Sequence, residues 1–327
     1  MAPHTDAKAP VAPEEVEYYV VDQGDDLLWS QFAHLVKAEN WTSDDNSVLG
    51  LTPTAPSTRA VFARRKIDDN FLGCVVWNEY DGIAWIGFYL MHPIARGLGI
   101  GSVLWNRALG RIPKDHAIGL RAVPDMAAKY KEHWVPYEVG SLTRYQFTCN
   151  QLAMVCAALC TASEYKLKRI TELSSDEFGK YLEFDQQVTK RERSAFLSQF
   201  HKVPLTDGVA LFGADGSVIG QGAVTSSSFE ERKLFKLSPV YASSIKEAAA
   251  IIQHLANYCQ GVSPDSIIHI HFLSESAGGE LLTTILEHLP DLKPSLPLRT
   301  LFSKDWKNPM DMTRVFVPHN NSCHYDA

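Results

Sequence analysis

The chain has 327 residues, of which 45% are hydrophobic and 21% charged. That is the composition of a soluble globular protein, which sets disordered and fibrous classes aside, and the length suits two domains of roughly 150 residues each. A formal charge of −7 argues against nucleic-acid binding through a broad basic surface, so no nucleic-acid partner is expected.

Residues 1–15 are rich in Ala and Pro and are expected to be disordered. They lack the basic start and the run of roughly 7–15 apolar residues of a secretory signal. The most apolar short window, Leu152–Leu159, falls far short of the ~20 residues that span a bilayer. The expectation is a cytoplasmic or nuclear protein with no membrane partner. The six cysteines (Cys74, Cys149, Cys156, Cys160, Cys259 and Cys323) form no CxxC pair and no zinc-ligand spacing, and read as buried free thiols.

Glu17–Val21 reads as a strand. Asp25–Asn40 reads as a helix, with Leu28, Phe32, Leu35 and Val36 at helical spacing and Asp25 as its N-cap. Trp41–Ser57 is polar and contains proline, a loop with room for one helical turn. Three strands follow, Arg59–Arg65, Phe71–Tyr80 and Ile83–Met91, with a hairpin signal at Asp81-Gly82 between the last two. Gly101–Ile112 is predicted as a helix that turns Val103, Leu104, Ala108 and Leu109 inward. Ala117–Val123 is a buried strand, Asp125–Trp134 a helix and Leu142–Thr148 a strand. Asn150–Tyr165 reads as a short apolar helix running into a polar linker, which sets the boundaries at 16–150, a linker at 151–165, a second domain at 166–318 and a tail at 319–327.

The second half repeats the order of the first. Lys168–Thr171 is a strand, Ser175–Phe200 a helical stretch, and Val209–Phe212 with Val218–Ser226 a hairpin around Asp215-Gly216. Lys233–Tyr241 is a strand, Ser244–Tyr258 a helix, Ile267–Leu273 a strand and Ala277–Leu289 a helix. Leu298–Phe302 and Arg314–Val317 close the chain as strands. Self-similarity of this kind implies two α/β domains with mixed sheets.

The chemically informative segment runs from Tyr89 to Ser102. A strand stops at Pro93, Arg96 follows, Gly97, Gly99 and Gly101 alternate, and a helix begins. Alternating glycines permit positive φ and close approach, so successive N–H groups can converge on an anion. The new helix adds unpaired N–H donors and Arg96 a full charge, which together suit a pyrophosphate. A P-loop would need Gly-Lys-Ser/Thr at its end. A dinucleotide site would need GxGxxG in a parallel βαβ unit and an acidic residue about twenty positions on. A nicotinamide-dependent oxidoreductase therefore survives only if the loop sits in such a unit. The sequence Arg96-Gly97-Leu98-Gly99-Ile100-Gly101 fits the acyl-CoA loop Arg/Gln-x-x-Gly-x-Gly/Ala.

In that loop, in Pro93 ahead of it and in the helix behind it, the chain resembles the GNAT superfamily of acyl-CoA N-acyltransferases. Gly119–Met126 and Tyr130 look like the strand and helix that follow the motif in that superfamily. Glu39-Asn40-Trp41 is similar to the Glu-Gly-Trp of a branch of two-domain proteins with a C-terminal GNAT-like domain of the YitH type. The resemblance extends over roughly residues 17–148 and more weakly over 168–303. It implies an α/β fold (α+β mixed sheet) of two tandem GNAT-like domains, each a mostly antiparallel sheet flanked by helices.

The resemblance also implies roles. Backbone groups of Tyr89, Leu90 and Met91 would pair with the pantetheine arm of acetyl-CoA, and Arg96, Gly97, Leu98, Gly99, Ile100, Gly101 and Ser102 would hold its pyrophosphate. Tyr130 would protonate the departing thiolate. The acceptor would be a small-molecule amine or a lysine-like amino group attacking directly in a ternary complex. The family's Gly-Phe after the tyrosine is replaced here by His133-Trp134-Val135, and Ile83–Met91 carries no carboxylate to serve as base. Glu39, Asp44, Asp45 and His92 are the alternatives, and a non-catalytic acyl-CoA-binding protein is the competing reading.

Trp41, Trp85, Tyr89 and Trp134 could line an aromatic acceptor pocket or pack in the core. The second half has Ser238–Ser244 in place of the glycine loop, and Glu247 in the first helical turn opposes a phosphate. One cofactor site is expected, with the second domain shaping the acceptor pocket or mediating assembly; a homodimer is left open. His269 and His271 alternate on a strand and read as packing residues, as do His319, Cys323 and His324 of the tail, so no metal is expected.

Overall fold

The computed structural model describes residues 12–21, 25–39, 46–80, 82–160, 165–227 and 233–319. Among these, the first half runs β1 (Val16–Val21), α1 (Asp26–Ala38), α2 (Asn46–Leu51), β2 (Thr58–Arg65), β3 (Phe71–Tyr80), β4 (Ile83–Met91), α3 (Ile100–Leu109), β5 (Ala117–Ala122), α4 (Pro124–His133), β6 (Tyr137–Thr148) and α5 (Cys149–Leu159). The second runs β7 (Lys166–Arg169), α6 (Ser175–Thr189), α7 (Ser194–Phe200), β8 (Thr206–Phe212), β9 (Val218–Ser226), β10 (Leu234–Ala242), α8 (Ile245–Val262), β11 (Ile267–Leu273), α9 (Gly278–His288), β12 (Leu298–Phe302) and β13 (Val315–Val317).

Helix α1 starts where the Asp25 carboxylate accepts the Leu28 N–H (3.0 Å), the side-chain cap that replaces a missing intrahelical carbonyl. Its apolar stripe of Leu28, Trp29, Phe32, Leu35 and Val36 packs on Phe62, Val76 and Phe88 of β2, β3 and β4. Helix α3 covers the opposite face with Ile100, Leu104, Trp105 and Ala108. The sequence pattern places Val103 inward as well, but Val103 is 40% exposed and Trp105 is buried in its stead. Leu104 and Ala108 face inward as expected, and at about 100° per residue Trp105 lies nearer their direction than Val103 does.

The helical stretch expected over 175–200 is two helices. Lys190 takes a left-handed conformation that ends α6, and α7 restarts at Ser194. Strand β6 begins at Tyr137, five residues earlier than the pattern at Leu142 indicates. Among the described residues no helix is long and apolar enough to cross a membrane.

The strands of both halves join one mixed sheet in the order β1-β2-β3-β4-β5-β12-β6-β11-β10-β9-β8-β7, with β13 on β10. The halves exchange their closing strands. Strand β12 lies between β5 and β6, and β6 lies between β12 and β11. Leu301 of the second half therefore packs in the first half's core, and Tyr145 and Phe147 of the first pack in the second's. Separating the halves would break the β5–β12 and β6–β11 ladders and expose both cores, so they are held in one fixed relation.

Candidate active site

Strands β4 and β5 pair in parallel from Ile83↔Ala117 to Ile86↔Leu120 and then part. The cause is a bulge at Gly87: on the β3 side Trp77 faces Ile86 and Val76 faces Phe88, leaving one extra residue on β4. A bulge bends its strand and raises its twist. Beyond it, Tyr89, Leu90 and Met91 stay paired to Val75, Cys74 and Gly73 on one edge. Their other edge faces the opening and has no strand partner among the described residues.

The unit β4–loop–α3–β5 is thus a parallel βαβ crossover, the arrangement named above as the condition for a nicotinamide enzyme. The condition is too permissive. The pairing stops after four residue pairs, the flanking β2–β3–β4 strands are antiparallel, and position 121, twenty residues past Gly101, is an arginine. A dinucleotide fold requires a parallel sheet and an acidic ribose ligand.

The loop after β4 turns on its glycines. The His92 imidazole accepts from the Ile94 N–H (3.4 Å) and caps the short 3-10 turn Pro93–Ala95. Gly97 and Gly99 have φ of +77° and +79°, conformations that residues with a Cβ rarely adopt. Helix α3 starts after Gly99 with no side-chain cap; Ser102 and Val103 donate to the Gly99 carbonyl. Leu98 is partly buried against the first core and Ile100 fully so, while Gly97, Gly99 and Ser102 are exposed. Gly101 has a different reason to be glycine: a Cβ there would collide with the Tyr89 hydroxyl. Arg96 donates from Nε to the Met91 carbonyl (3.0 Å) and pairs through Nη2 with Glu39.

An aromatic cluster backs the opening. Trp105 stacks on Tyr130 with centroids 5.4 Å apart and lies 5.2 Å from Tyr89 and 4.9 Å from Trp134. Burial raises the Tyr130 phenol well above its ordinary range, with the neighbouring Tyr89 adding to the effect, and burial raises Tyr89 as well. Both phenols stay protonated at neutral pH.

These groups line a cavity of about 1160 Å³, beyond the roughly 300–1,000 Å³ of ordinary small-molecule sites. It reaches past the loop to the strands the halves share, where Arg121, Leu142, Arg144, His271 and Leu298 line it. Tyr89, Leu90, Met91, Arg96, Gly97, Gly99, Gly101, Ser102 and Tyr130 all reach its wall, and Leu98 and Ile100 sit behind it. Of the aromatic candidates, Trp85 and Tyr89 line the cavity and Trp134 packs on Trp105. Trp41, Asp44, Asp45, Cys323 and His324 lie outside the described residues.

Sequence reasoning misses Trp105, Arg121 and Arg144. Trp105 is passed over for Val103 on the other flank of the same stripe; the two arginines need the strand exchange to be seen together. His271 is noticed as one of an alternating pair, but its partner strand is not. In the sheet His271 lies opposite Arg144, and His269 lies opposite Gln146 with a hydrogen bond of 3.2 Å.

The second half repeats the bulge but fills the opening. Strands β10 and β11 pair in parallel over Leu234↔Ile267 to Leu237↔Ile270, and β10 shifts register on β9 between Leu237 and Val240. Past that point Val240 and Tyr241, which correspond to Tyr89 and Leu90, pair with Val317 and Val315 of β13. The start of α8 is capped: Ser244 accepts the Glu247 N–H, and the Glu247 carboxylate accepts the Ser243 N–H (2.8 Å). Among the described residues, the first half thus keeps an open edge beside a helix start with no side-chain cap, and the second does not.

Comparison with known proteins places the same features in context. The sequence model of the Acetyltransferase (GNAT) family matches residues 22–129. A Caenorhabditis elegans protein, Uncharacterized protein F36G3.2, is 36% identical over 315 residues, 95% of this chain and 99% of that one. The holothin acyltransferase of Pseudoalteromonas sp. (strain SANK 73390) is 25% identical over 177 residues, 54% of each chain. Among solved structures, a tandem GNAT protein from the clavulanic acid biosynthesis pathway superposes with a TM-score of 0.65 at 16% identity, covering 90% of this chain and 100% of that one.

Proposed function

The chain belongs to the GNAT superfamily in its two-domain form, and from that premise we propose that it is an N-acetyltransferase moving an acetyl group from acetyl-CoA to a primary amine. The observation that carries the reading is the open edge of Tyr89–Met91 running into the Gly97–Gly99 turn and the start of α3. An extended amide chain can pair with that edge as a strand would. The turn and the helix start offer main-chain N–H groups to a diphosphate.

The fit is residue by residue. Tyr89, Leu90 and Met91 hold the pantetheine amides through their backbone. Gly97, Gly99 and Gly101 keep side chains out of the cradle, Leu98 and Ile100 anchor it to the core, and Ser102 adds a hydroxyl. Arg96 supplies positive charge at the cradle's rim, its guanidinium steadied by the Met91 carbonyl and Glu39. The volume accommodates the cofactor arm and an acceptor together.

In the transfer, the neutral amine forms a bond to the acetyl carbon, the carbon–sulfur bond breaks, Tyr130 gives its proton to the sulfur, and the proton shed by the nitrogen passes to water, from which the Tyr130 phenolate is reprotonated. A phenol held protonated by burial suits that step. Strand β4 carries no carboxylate, and the wall carboxylates are Glu39, already paired with Arg96, and Asp125. The amine therefore enters through its neutral fraction, and β13 and the capped α8 leave the second half without a cofactor site of its own. Thiol release from acetyl-CoA across a panel of primary amines tests the proposal: release with at least one amine is expected, and binding of acetyl-CoA with no release for any of them favours a binding protein instead.

A further inference from the structure

The floor of the cavity, away from the loop, is built by strands that neither half could assemble alone. Arg144 on β6 lies opposite His271 on β11, and the Arg144 main chain is fixed on its other side by Ser295, whose N–H donates to the Arg144 carbonyl (2.9 Å) and whose hydroxyl accepts the Arg144 N–H (3.3 Å). Arg144 and His271 both line the cavity. Arg144 is half-buried, yet its guanidinium has no hydrogen-bond or ion-pair partner among the described residues.

A half-buried guanidinium with no partner loses part of its hydration without replacement. Burial pulls the Arg144 pKa down for that reason, and no carboxylate acts on it. Burial first, and after it the charges of Lys236, Arg144 and Arg121 with the His269 imidazole, hold the His271 ring neutral. The carboxylates of the cavity wall lie elsewhere: Glu39 is at the loop, paired with Arg96, and Asp125 is in the first turn of α4. Arg121 lies over the Trp85 ring, 5.4 Å from its centroid.

We propose that Arg144 is the receptor for a carboxylate on the acceptor, so that the substrate is an amino acid or a related aminocarboxylic acid rather than a simple amine. The planar guanidinium fork matches a carboxylate in two parallel hydrogen bonds. Strand β6 is two places from β5 in the sheet, which sets its backbone about 10 Å from β5. That span suits a small acceptor with its amine toward β4 and β5 and its carboxylate toward β6. The assignment rests on the acyltransferase reading for the amine's role, but not for the carboxylate's binding.

The test therefore separates binding from turnover. Calorimetric titration of amino acids and their carboxamides is carried out on the full chain with free coenzyme A present, where no acetyl group can move. The carboxylates are expected to bind at least tenfold more tightly than the carboxamides; Arg144→Gln should abolish that difference and Arg144→Lys keep part of it, with coenzyme A affinity unchanged in both. Equal binding of acid and amide, or no binding of either, overturns the proposal. Thiol release is measured in parallel, so that carboxamides accepted as well as acids sink this assignment and leave the transferase standing. Succinyl-CoA is the last arm: if Arg144→Gln weakens it relative to acetyl-CoA and leaves the acids untouched, the carboxylate belongs to the acyl chain and the acceptor assignment is wrong.

Discussion

The Tyr89 hydroxyl occupies the space where a side chain on Gly101 would begin. Strand β4 and helix α3 are thereby fitted to each other at the mouth of the opening, with the Tyr89 ring braced by Trp105 at 5.2 Å. A methyl group added here forces one of the two apart, an overpacking that costs roughly 1–3 kcal/mol. Gly101→Ala is expected to weaken acetyl-CoA binding by at least tenfold, and Tyr89→Phe in the same chain to restore part of it. Calorimetry on the four proteins of the cycle reads the coupling. Independent effects would mean that the contact does not shape the cradle.

Arg96 is the charged member of the loop, and its removal takes away a charge-assisted contact of about 1.5–3 kcal/mol. Arg96→Ala should raise the dissociation constant for acetyl-CoA by roughly tenfold to 150-fold and flatten its dependence on salt. An unchanged constant would place Arg96 outside the cradle and leave it as a partner of Glu39 only.

Tyr130 yields a prediction with a definite sign in pH. Its pKa is raised by burial, so the protonated form, the one that donates, persists above the ordinary tyrosine range. The acceptor amine gains its neutral form as pH rises toward about 10. The rate at low acceptor should therefore climb through pH 7–10 with no falling limb from the phenol. Tyr130→Phe should lower kcat by about 10²–10⁴ and leave acetyl-CoA affinity alone. A variant with full activity would strip Tyr130 of the acid role.

Acid stability is set elsewhere. Burial lowers the pKa of His201, whose Nε2 is hydrogen-bonded to the Tyr181 hydroxyl (2.8 Å), to about 4, and that of His269 likewise to about 4. Between pH 6.5 and that value the unfolded chain binds protons the folded one does not, so stability is lost as pH falls through the window, on the order of 1 kcal/mol per pH unit for each group. Denaturant midpoints from pH 7 to 4.5 should drop accordingly. In His201→Gln the slope should shrink by about one proton, and an identical slope would contradict the assignment.

The second half makes a complementary prediction. Phe316 in β13 is buried, so Phe316→Ala should cost about 3–5 kcal/mol. Acetyl-CoA should bind in a one-to-one ratio in the natural chain. A ratio of two would show that β13 and the capped α8 do not close the second opening.

Much of this site could be read before any coordinates. Gly97 and Gly99 announce themselves because positive φ leaves few residue choices, and Asp25 announces the start of α1 because a carboxylate cap is a local device. The boundaries of β3, β4, β11 and β12 follow from apolar runs and turn residues, which are also local. The strand exchange is not local. Nothing in Leu298–Phe302 or Leu142–Thr148 states which neighbour each will take, since an apolar strand fits either ladder, and Arg144 and His271 meet only after that choice. Arg314–Val317 reads as a closing strand, but the pairing of its Val317 in the opening beside Val240 depends on a bulge that only the register reveals.

The most direct test is titration of acetyl-CoA into the intact, folded protein by calorimetry. Binding at a single site, weakened in Arg96→Ala and Gly101→Ala, is the expected result. Absence of any heat of binding from the natural chain, with folding verified, would contradict the account.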